Sequence, residues 1–195
     1  MKKITILLAT CFITLGAYAQ FEKGNKLVGG ALGADFTTNK TKYDGSTFTN
    51  GQYVSFSLDP QIAYFVIDNL AVGGALGFST DTYKEDDSDY KSVDNEITIQ
   101  PVVRYYLSQG IFFQGNFIVG SAKSKVTEDG TTDETKYNVS GWSLSAGYAF
   151  FLNDHVAIEP RLGYSGKGYK NKENDVKSVD NGLYIRVGFQ IYLTK

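Results

Sequence analysis

The residues of this chain that could do chemistry are charged and polar side chains placed two positions apart in alternating segments. Its three arginines, Arg104, Arg161 and Arg186, each lie on the polar side of a segment whose other side is apolar. Arginine pairs with carboxylates through a planar fork and keeps its charge away from water. These residues therefore predict a desolvated polar network, with six candidate members: Asp59, Gln100, Arg104, Glu159, Arg161 and Arg186.

Such a network has two interpretations. Glu159 and Arg161 are two residues apart, so they share one face of a strand. A salt-bridge plug would hold the surrounding structure closed, whereas a polar conduit or gate would pass small solutes. We favour the plug and keep the conduit as the alternative.

Catalytic and cofactor chemistry has few candidates. The sequence has one histidine, His155, which lies in a short turn, and one cysteine, Cys11, near the N-terminus. The glycine-rich stretch 72–77 is no phosphate loop, since the alternation continues through it and no helix follows. We therefore predict no catalytic, cofactor-binding or metal-binding residue, and a protein that is not an enzyme.

Two charged segments carry further hypotheses. Residues 81–94 contain six acidic residues and two lysines. Carboxylates at this density could bind calcium, although the ligand spacing is irregular and a solvated acidic loop is the commoner outcome. Lys123 and Lys125 could contact lipopolysaccharide phosphates.

The N-terminal residues have the pattern of an export leader. Lys2 and Lys3 precede an apolar run that ends at Ala17-Tyr18-Ala19, which predicts a signal peptide over 1–19 and a mature domain over 20–195. The apolar run is shorter than the ~20 residues of a membrane-spanning helix. Lipidation at Cys11 is the other alternative.

The residues of the polar network lie on predicted β-strands. Apolar residues recur at every second position, the pattern of strands that face two different media. The eight segments are 28–36, 54–64, 70–78, 97–105, 111–119, 142–150, 156–164 and 183–193.

The connections between these segments alternate in length. Three are short turns, at 68–69, 108–110 and 153–155, and four are long and polar, at 37–51, 80–94, 123–136 and 168–181. This predicts an all-β fold: an eight-stranded antiparallel up-and-down transmembrane β-barrel with short periplasmic turns and long extracellular loops. Three prolines on the apolar side, Pro60, Pro101 and Pro160, predict bulges or bends.

The distribution of charge indicates which side meets lipid. The apolar side carries no charge through the centre of any predicted strand. A charge facing lipid near the midplane would cost about 2–4 kcal/mol. Aromatic residues flank an aliphatic band at both ends, as in the girdles of membrane barrels. A soluble lipocalin-like barrel, with its apolar side inside, is the alternative.

Four segments together resemble the small outer-membrane β-barrel family of the OmpA/OmpX type found in Bacteroidetes. They are AYAQ at 17–20, PQIAYFVIDNLAVG at 60–73, PVVRYY at 101–106 and GFQIYL at 188–193. The resemblance implies insertion by the outer-membrane barrel assembly machinery. It implies no single activity, because members of the family include structural and adhesive proteins.

We therefore predict a non-enzymatic protein of the outer membrane, with a side-chain-filled lumen and a structural or surface-interaction role of its loops. A small channel is the main alternative, ahead of a lipid-modifying enzyme and a soluble binding barrel. The predicted partners are membrane lipid, lipopolysaccharide and an unidentified extracellular ligand. A net charge of −2 gives no indication of nucleic-acid binding.

Overall fold

The computed structural model describes residues 19–43, 46–86, 88–107, 110–174 and 176–194. The predicted signal peptide lies outside these ranges except for residue 19. The described ranges contain a short 3-10 helix, Ala19–Phe21, and nine strands. The strands are β1 (Lys26–Tyr43), β2 (Ser46–Ile67), β3 (Leu70–Glu85), β4 (Lys91–Tyr106), β5 (Ile111–Glu128), β6 (Thr131–Tyr148), β7 (Phe150–Phe151), β8 (Val156–Asn171) and β9 (Lys177–Leu193).

The strands form one closed antiparallel ring. Consecutive strands pair from β1 to β6, β8 pairs with β9, and β1 pairs with β9 from Lys26↔Leu193 to Leu32↔Val187. The two-residue β7 continues the line of β6 after Ala149, and both pair with β8, so β6 and β7 together count as one strand of the ring. The structure confirms the predicted eight-stranded up-and-down barrel. Within the described ranges, no helix has the length and apolar character needed to cross a membrane.

The two faces of the barrel differ in chemistry, as the alternation predicts. Leu144 and Ile185 point outward and are 61% and 76% exposed, whereas Val102 and Gln190 point inward and are 1% exposed. The outward apolar band runs from Leu70 to Phe78 on β3, a length of strand that spans a bilayer when tilted. Beyond Phe78, the outward positions become polar.

Two of the segments predicted as long polar loops continue the strands as paired hairpins. Strand pairing continues to Tyr43↔Ser46 between β1 and β2, and to Glu128↔Thr131 between β5 and β6. The second of these hairpins closes through Asp129 and Gly130, which both have positive φ. Threonine and tyrosine residues in these segments favour strand pairing outside the membrane as well as within it.

No register shift occurs at the three prolines, so the prediction of bulges is wrong, whereas the alternative of bends stays a prediction. The β2–β3 ladder stops at Leu58↔Phe78 and resumes at Gln61↔Ala75, so Pro60 interrupts the pairing without shifting its register. Pro101 interrupts the β4–β5 ladder in the same way, and Pro160 lies in the break of the β8 pairing between Gly147↔Arg161 and Phe150↔Ile158. The physical reason is that proline removes one N–H donor but can keep the extended backbone conformation.

The short-turn end of the barrel is closed by aromatic side chains. Phe21, carried in by the short 3-10 helix, stacks on Tyr106 with a centroid distance of 4.1 Å. Phe65, Phe112 and Tyr192 pack in the same buried cluster. The backbone also holds this segment, because Asn69 N donates to Phe21 O at 2.7 Å. We call the aromatic cluster of Phe21, Phe65, Tyr106, Phe112 and Tyr192 the basal plug.

Candidate functional site

A buried ion pair lies at the centre of the lumen. Arg104 on β4 donates from Nη1 to Glu159 Oε2 on β8 at 2.7 Å, and the two side chains are 0% and 1% exposed. Arg104 Nε also donates to Gln114 Oε1 at 2.7 Å. The guanidinium group lies over the Phe112 ring, 4.3 Å from its centroid. These contacts satisfy Nε and Nη1 of the guanidinium group, whereas Nη2 is buried without a hydrogen-bond partner among the described residues.

Two tyrosine hydroxyls complete a ring of hydrogen bonds around this pair. Arg104 Nη1 donates to Tyr106 Oη at 2.9 Å, and the Tyr106 and Tyr192 hydroxyl oxygens lie 2.9 Å apart. Tyr192 then donates to Glu159 Oε1 at 2.5 Å. Neither tyrosine is among the six residues that the sequence predicts for the network. The available signal was the parity of Tyr106, two residues after Arg104 on the same face of β4.

A second ion pair lies on the other side of the network. Arg186 Nη1 on β9 donates to Asp59 Oδ2 on β2. Gln100 Nε2 donates to Thr98 Oγ1 at 3.0 Å and lies 3.4 Å from Asp59 Oδ1. The Arg186 guanidinium group also lies over the Tyr184 ring, 5.0 Å from its centroid.

Amide side chains connect the two ion pairs. Gln114 Nε2 donates to Asn116 Oδ1 at 2.9 Å, and Asn116 Nδ2 donates to Gln100 Oε1 at 3.0 Å. A continuous chain of hydrogen bonds therefore runs from Arg104 to Asp59 through side chains of β5, β4 and β2. We call this set the luminal network: Asp59, Thr98, Gln100, Arg104, Tyr106, Gln114, Asn116, Glu159, Arg186 and Tyr192.

The structure places all six sequence-predicted residues inside the barrel, but only five of them belong to the hydrogen-bonded luminal network. Arg161 on β8 is buried, with 7% of its surface exposed. Its Cα pairs with that of Arg186 on β9, so two arginines lie side by side on the inner face. No carboxylate of the described residues lies within ion-pair distance of Arg161, and its Nε has no hydrogen-bond partner there.

A cavity of about 310 Å³ opens at the opposite end from the basal plug. We call this cavity the vestibule. Its polar lining consists of Tyr53, Asp81, Asp94, Asn95, Glu96, Ser124, Tyr137, Tyr169, Ser178 and Asp180. Glu96 accepts hydrogen bonds from Lys167 Nζ at 2.6 Å and from the Tyr169 hydroxyl at 2.9 Å. The lining is acidic, because Lys167 pairs with only one of its carboxylates.

Two vestibule tyrosines are held in their neutral form. Burial and, after it, the hydrogen bond to Asp81 Oδ1 at 2.9 Å together raise the pKa of Tyr53 to about 12. Burial also raises the pKa of Tyr169, with the neighbouring Glu96 charge as the second cause. Both residues lie beyond the apolar band, level with polar outward positions. Each hydroxyl therefore stays a donor to its carboxylate at neutral pH.

The remaining sequence hypotheses fall on separate parts of the barrel. His155 lies at the short-turn end, where Nδ1 is 3.2 Å from Tyr192 O. Asp81 and Asp94 of the acidic segment pair across β3 and β4, whereas Asp87 lies outside the described residues. Within those residues, no group of three or more metal-binding side chains is placed to hold an ion. Lys123 pairs with Glu134 at 2.7 Å on the β5–β6 hairpin.

The sequence matches no family model and no curated protein. Solved structures with a similar strand arrangement include neisserial surface protein A, at 16% identity and a TM-score of 0.47, where the match covers 87% of this chain and 97% of the other. The attachment invasion locus protein Ail of Yersinia pestis gives 17% identity, the same TM-score, and coverages of 87% and 98%. The outer membrane protein OprG of Pseudomonas aeruginosa gives 13% identity, a TM-score of 0.43, and coverages of 90% and 99%.

Proposed function

We propose that this outer-membrane β-barrel is a non-enzymatic protein, closed to bulk flow, that acts at the cell surface through the hairpins of its open end. A closed barrel satisfies every backbone hydrogen bond of its membrane-spanning strands, and an apolar exterior around a polar interior suits lipid. Residues 1–19 would direct its export. The assembly machinery of the outer membrane would insert it, and lipid and lipopolysaccharide would surround it.

The observation that carries the proposal is that side chains fill the lumen below Arg104 and around it. Below it, the basal plug fills the short-turn end with five aromatic rings. Around it, the luminal network crosses the interior, from the Tyr192–Glu159 hydrogen bond at 2.5 Å to the Gln100–Asp59 contact at 3.4 Å. Solutes that enter the vestibule therefore meet buried, hydrogen-bonded side chains. The hairpins beyond the apolar band are the part of the molecule that remains available to partners.

The direction of insertion can be tested with single cysteines, because the sequence has no cysteine after Cys11. Thr131 lies at the tip of the β5–β6 hairpin, and Asp154 lies in the short turn before β8. In intact cells, a membrane-impermeant maleimide should label Thr131→Cys and should label Asp154→Cys only after lysis. The reverse pattern would contradict the proposed surface role. Equal labelling of both would contradict membrane insertion.

A small channel is the second candidate, and the cavities of the upper lumen favour it. A cavity of about 40 Å³, lined in part by Asp59, Thr98 and Arg186, lies on the lumen side of the vestibule. Planar bilayer recordings distinguish the two functions. The closed barrel should show no steady conductance, whereas steady ion-selective conductance of the unaltered protein would support the channel.

A further inference from the structure

The vestibule has more negative than positive charge on its inner wall. Its lining includes four carboxylates, those of Asp81, Asp94, Glu96 and Asp180. Among the described residues, only Glu96 of these four has a cationic side chain within ion-pair distance, that of Lys167 at 2.6 Å. Four carboxylates and one ammonium group leave three negative charges without a counter-charge at the open end of the lumen.

The lysines near the vestibule do not provide these counter-charges, because strand alternation places them on the outer face. Lys84 and Lys91 lie opposite each other in the β3–β4 ladder, at outward positions where both are exposed. Lys123 on β5 also points outward and pairs with a carboxylate of β6. Inside the barrel, Arg186 lies deeper than the vestibule and pairs with Asp59. Above the apolar band, the wall of the barrel therefore separates these lysines from the vestibule carboxylates.

Two of the vestibule carboxylates lie directly side by side. Asp81 and Asp94 are opposite each other in the β3–β4 ladder, and both are half-buried. Residues opposite each other in an antiparallel pair have Cβ atoms about 4.5–5.5 Å apart, and like charges there are destabilising. Asp81 accepts a hydrogen bond from the Tyr53 hydroxyl at 2.9 Å and Asp94 accepts one from the Ser92 hydroxyl at 3.2 Å, but both donors are neutral. A cation between the two carboxylates would remove their repulsion.

The vestibule wall already holds one ammonium group, that of the chain's own Lys167. Its Nζ donates to Glu96 Oε1 at 2.6 Å, and the Tyr169 hydroxyl donates to Glu96 Oε2 at 2.9 Å. The Tyr169 ring packs edge-on against Tyr137, at a centroid distance of 6.5 Å. After burial and Glu96, the charge of Asp180 also raises the pKa of Tyr169, so carboxylates of two strands act on one hydroxyl group. Carboxylates beside aromatic rings are a setting that binds organic cations.

We propose that the vestibule binds an aliphatic polyamine, a flexible chain with two or three ammonium groups. One ammonium group would lie at Asp81 and Asp94 and another at Asp180, while the methylene groups contact the tyrosine rings. The volume of about 310 Å³ is at the lower end of small-molecule pockets, which suits such a chain. Among the described residues, no three metal-binding side chains are placed to hold one ion, so the spaced carboxylates suit a ligand with spaced charges better than a metal ion.

The proposal names a ligand class for the open end of the barrel. It rests on the proposed surface role only for the side of the membrane from which the polyamine arrives. Binding to the purified protein does not depend on the direction of insertion. A barrel that binds a polyamine but fails the cysteine-labelling test would keep the site and lose the surface role.

The test is isothermal titration calorimetry of the purified full-length barrel in a non-ionic detergent, with spermidine as the probe. Butylamine and magnesium chloride are titrated in parallel at equal ionic strength. Spermidine should bind with one-to-one stoichiometry and more tightly than either. The double variant Asp81→Asn with Asp94→Asn should weaken its binding by about tenfold, because two partly exposed ion pairs are lost. Asp154→Asn, which removes an exposed carboxylate at the short-turn end, is the matched control and should bind as the unaltered protein does.

Three outcomes would overturn the proposal. The first is the absence of saturable spermidine binding. The second is equal affinity for magnesium, which would mean that the carboxylates attract any multivalent cation. The third is unchanged affinity in the double variant, which would place the amine elsewhere. If the double variant does not fold, Tyr137→Leu provides the comparison, since it alters no charge and should weaken binding by about two- to fivefold through the loss of its ring. Unchanged affinity in Tyr137→Leu would then contradict the assignment.

Discussion

Arg104 and Glu159 lie 55 positions apart in the sequence, yet their side chains meet across the lumen at 2.7 Å with almost no exposure to solvent. The contact joins β4 to β8, which are not neighbours in the ring. It therefore connects opposite walls of the barrel rather than adjacent strands. This cross-lumen contact is the centre of the proposed closure.

Removing one member of this pair should destabilise the barrel strongly. Glu159→Gln leaves the Arg104 charge buried without its carboxylate, and such single removals cost about 3–5 kcal/mol. The free energy of unfolding, measured by urea titration in lipid vesicles, should fall by this order. Replacement of both residues by apolar ones, Arg104→Met with Glu159→Leu, should cost less than the single change. A loss no greater than that of the exposed variant Lys123→Gln would contradict the burial of the pair.

The basal plug should depend on Phe21. Its stacking on Tyr106 is lost in Phe21→Ala, and removal of a buried phenylalanine side chain costs about 3–5 kcal/mol. The expected result is a lower melting midpoint together with faster proteolysis of the N-terminal segment in the folded barrel. Phe21→Leu, which keeps most of the apolar volume, should lie close to the unaltered protein. Unchanged proteolysis in Phe21→Ala would show that the backbone hydrogen bonds alone hold the segment.

A charged residue on the lipid-facing surface should destabilise the barrel. Leu144 lies in the outward apolar band and is 61% exposed in the isolated chain. If lipid covers it, Leu144→Arg should cost about 2–4 kcal/mol of unfolding free energy in vesicles. Thr131→Arg at the hairpin tip is the matched control and should be tolerated. A soluble barrel would tolerate both changes, because most exposed substitutions change stability by about 0.5 kcal/mol or less.

The fluorescence of Trp142 can show whether lipid or water contacts the same surface, without any mutation, because Trp142 is the single tryptophan of the chain. Its side chain is outward on β6 and 46% exposed, near the Tyr164 ring at a centroid distance of 6.0 Å. In vesicles, its fluorescence should be quenched by brominated lipids and protected from aqueous iodide. Strong iodide quenching without lipid quenching would place this face in water.

The sequence was sufficient to predict the barrel and its faces because both depend on period-two alternation. Alternation assigns a residue to the inner or outer face, as it does for Arg104 and Leu144. It does not predict the position of a residue along the barrel axis, because the stagger of the strands determines which inward-facing residues lie at the same depth. The contacts of Glu159 with Arg104 and Tyr192 depend on that stagger, and so does the absence of an ion-pair partner for Arg161 among the described residues. The paired hairpins beyond the membrane were missed because their polar composition is also that of a loop.

Insertion of the folded barrel into the outer membrane is tested most simply by the mobility of the protein from outer-membrane fractions on a detergent gel, with and without boiling. A folded barrel that is embedded in lipid and held closed by cross-lumen contacts should be found in that fraction. Its unboiled form should run at a different position from the boiled form. Recovery in the soluble periplasmic fraction, with the same mobility before and after boiling, would contradict a folded barrel in the outer membrane.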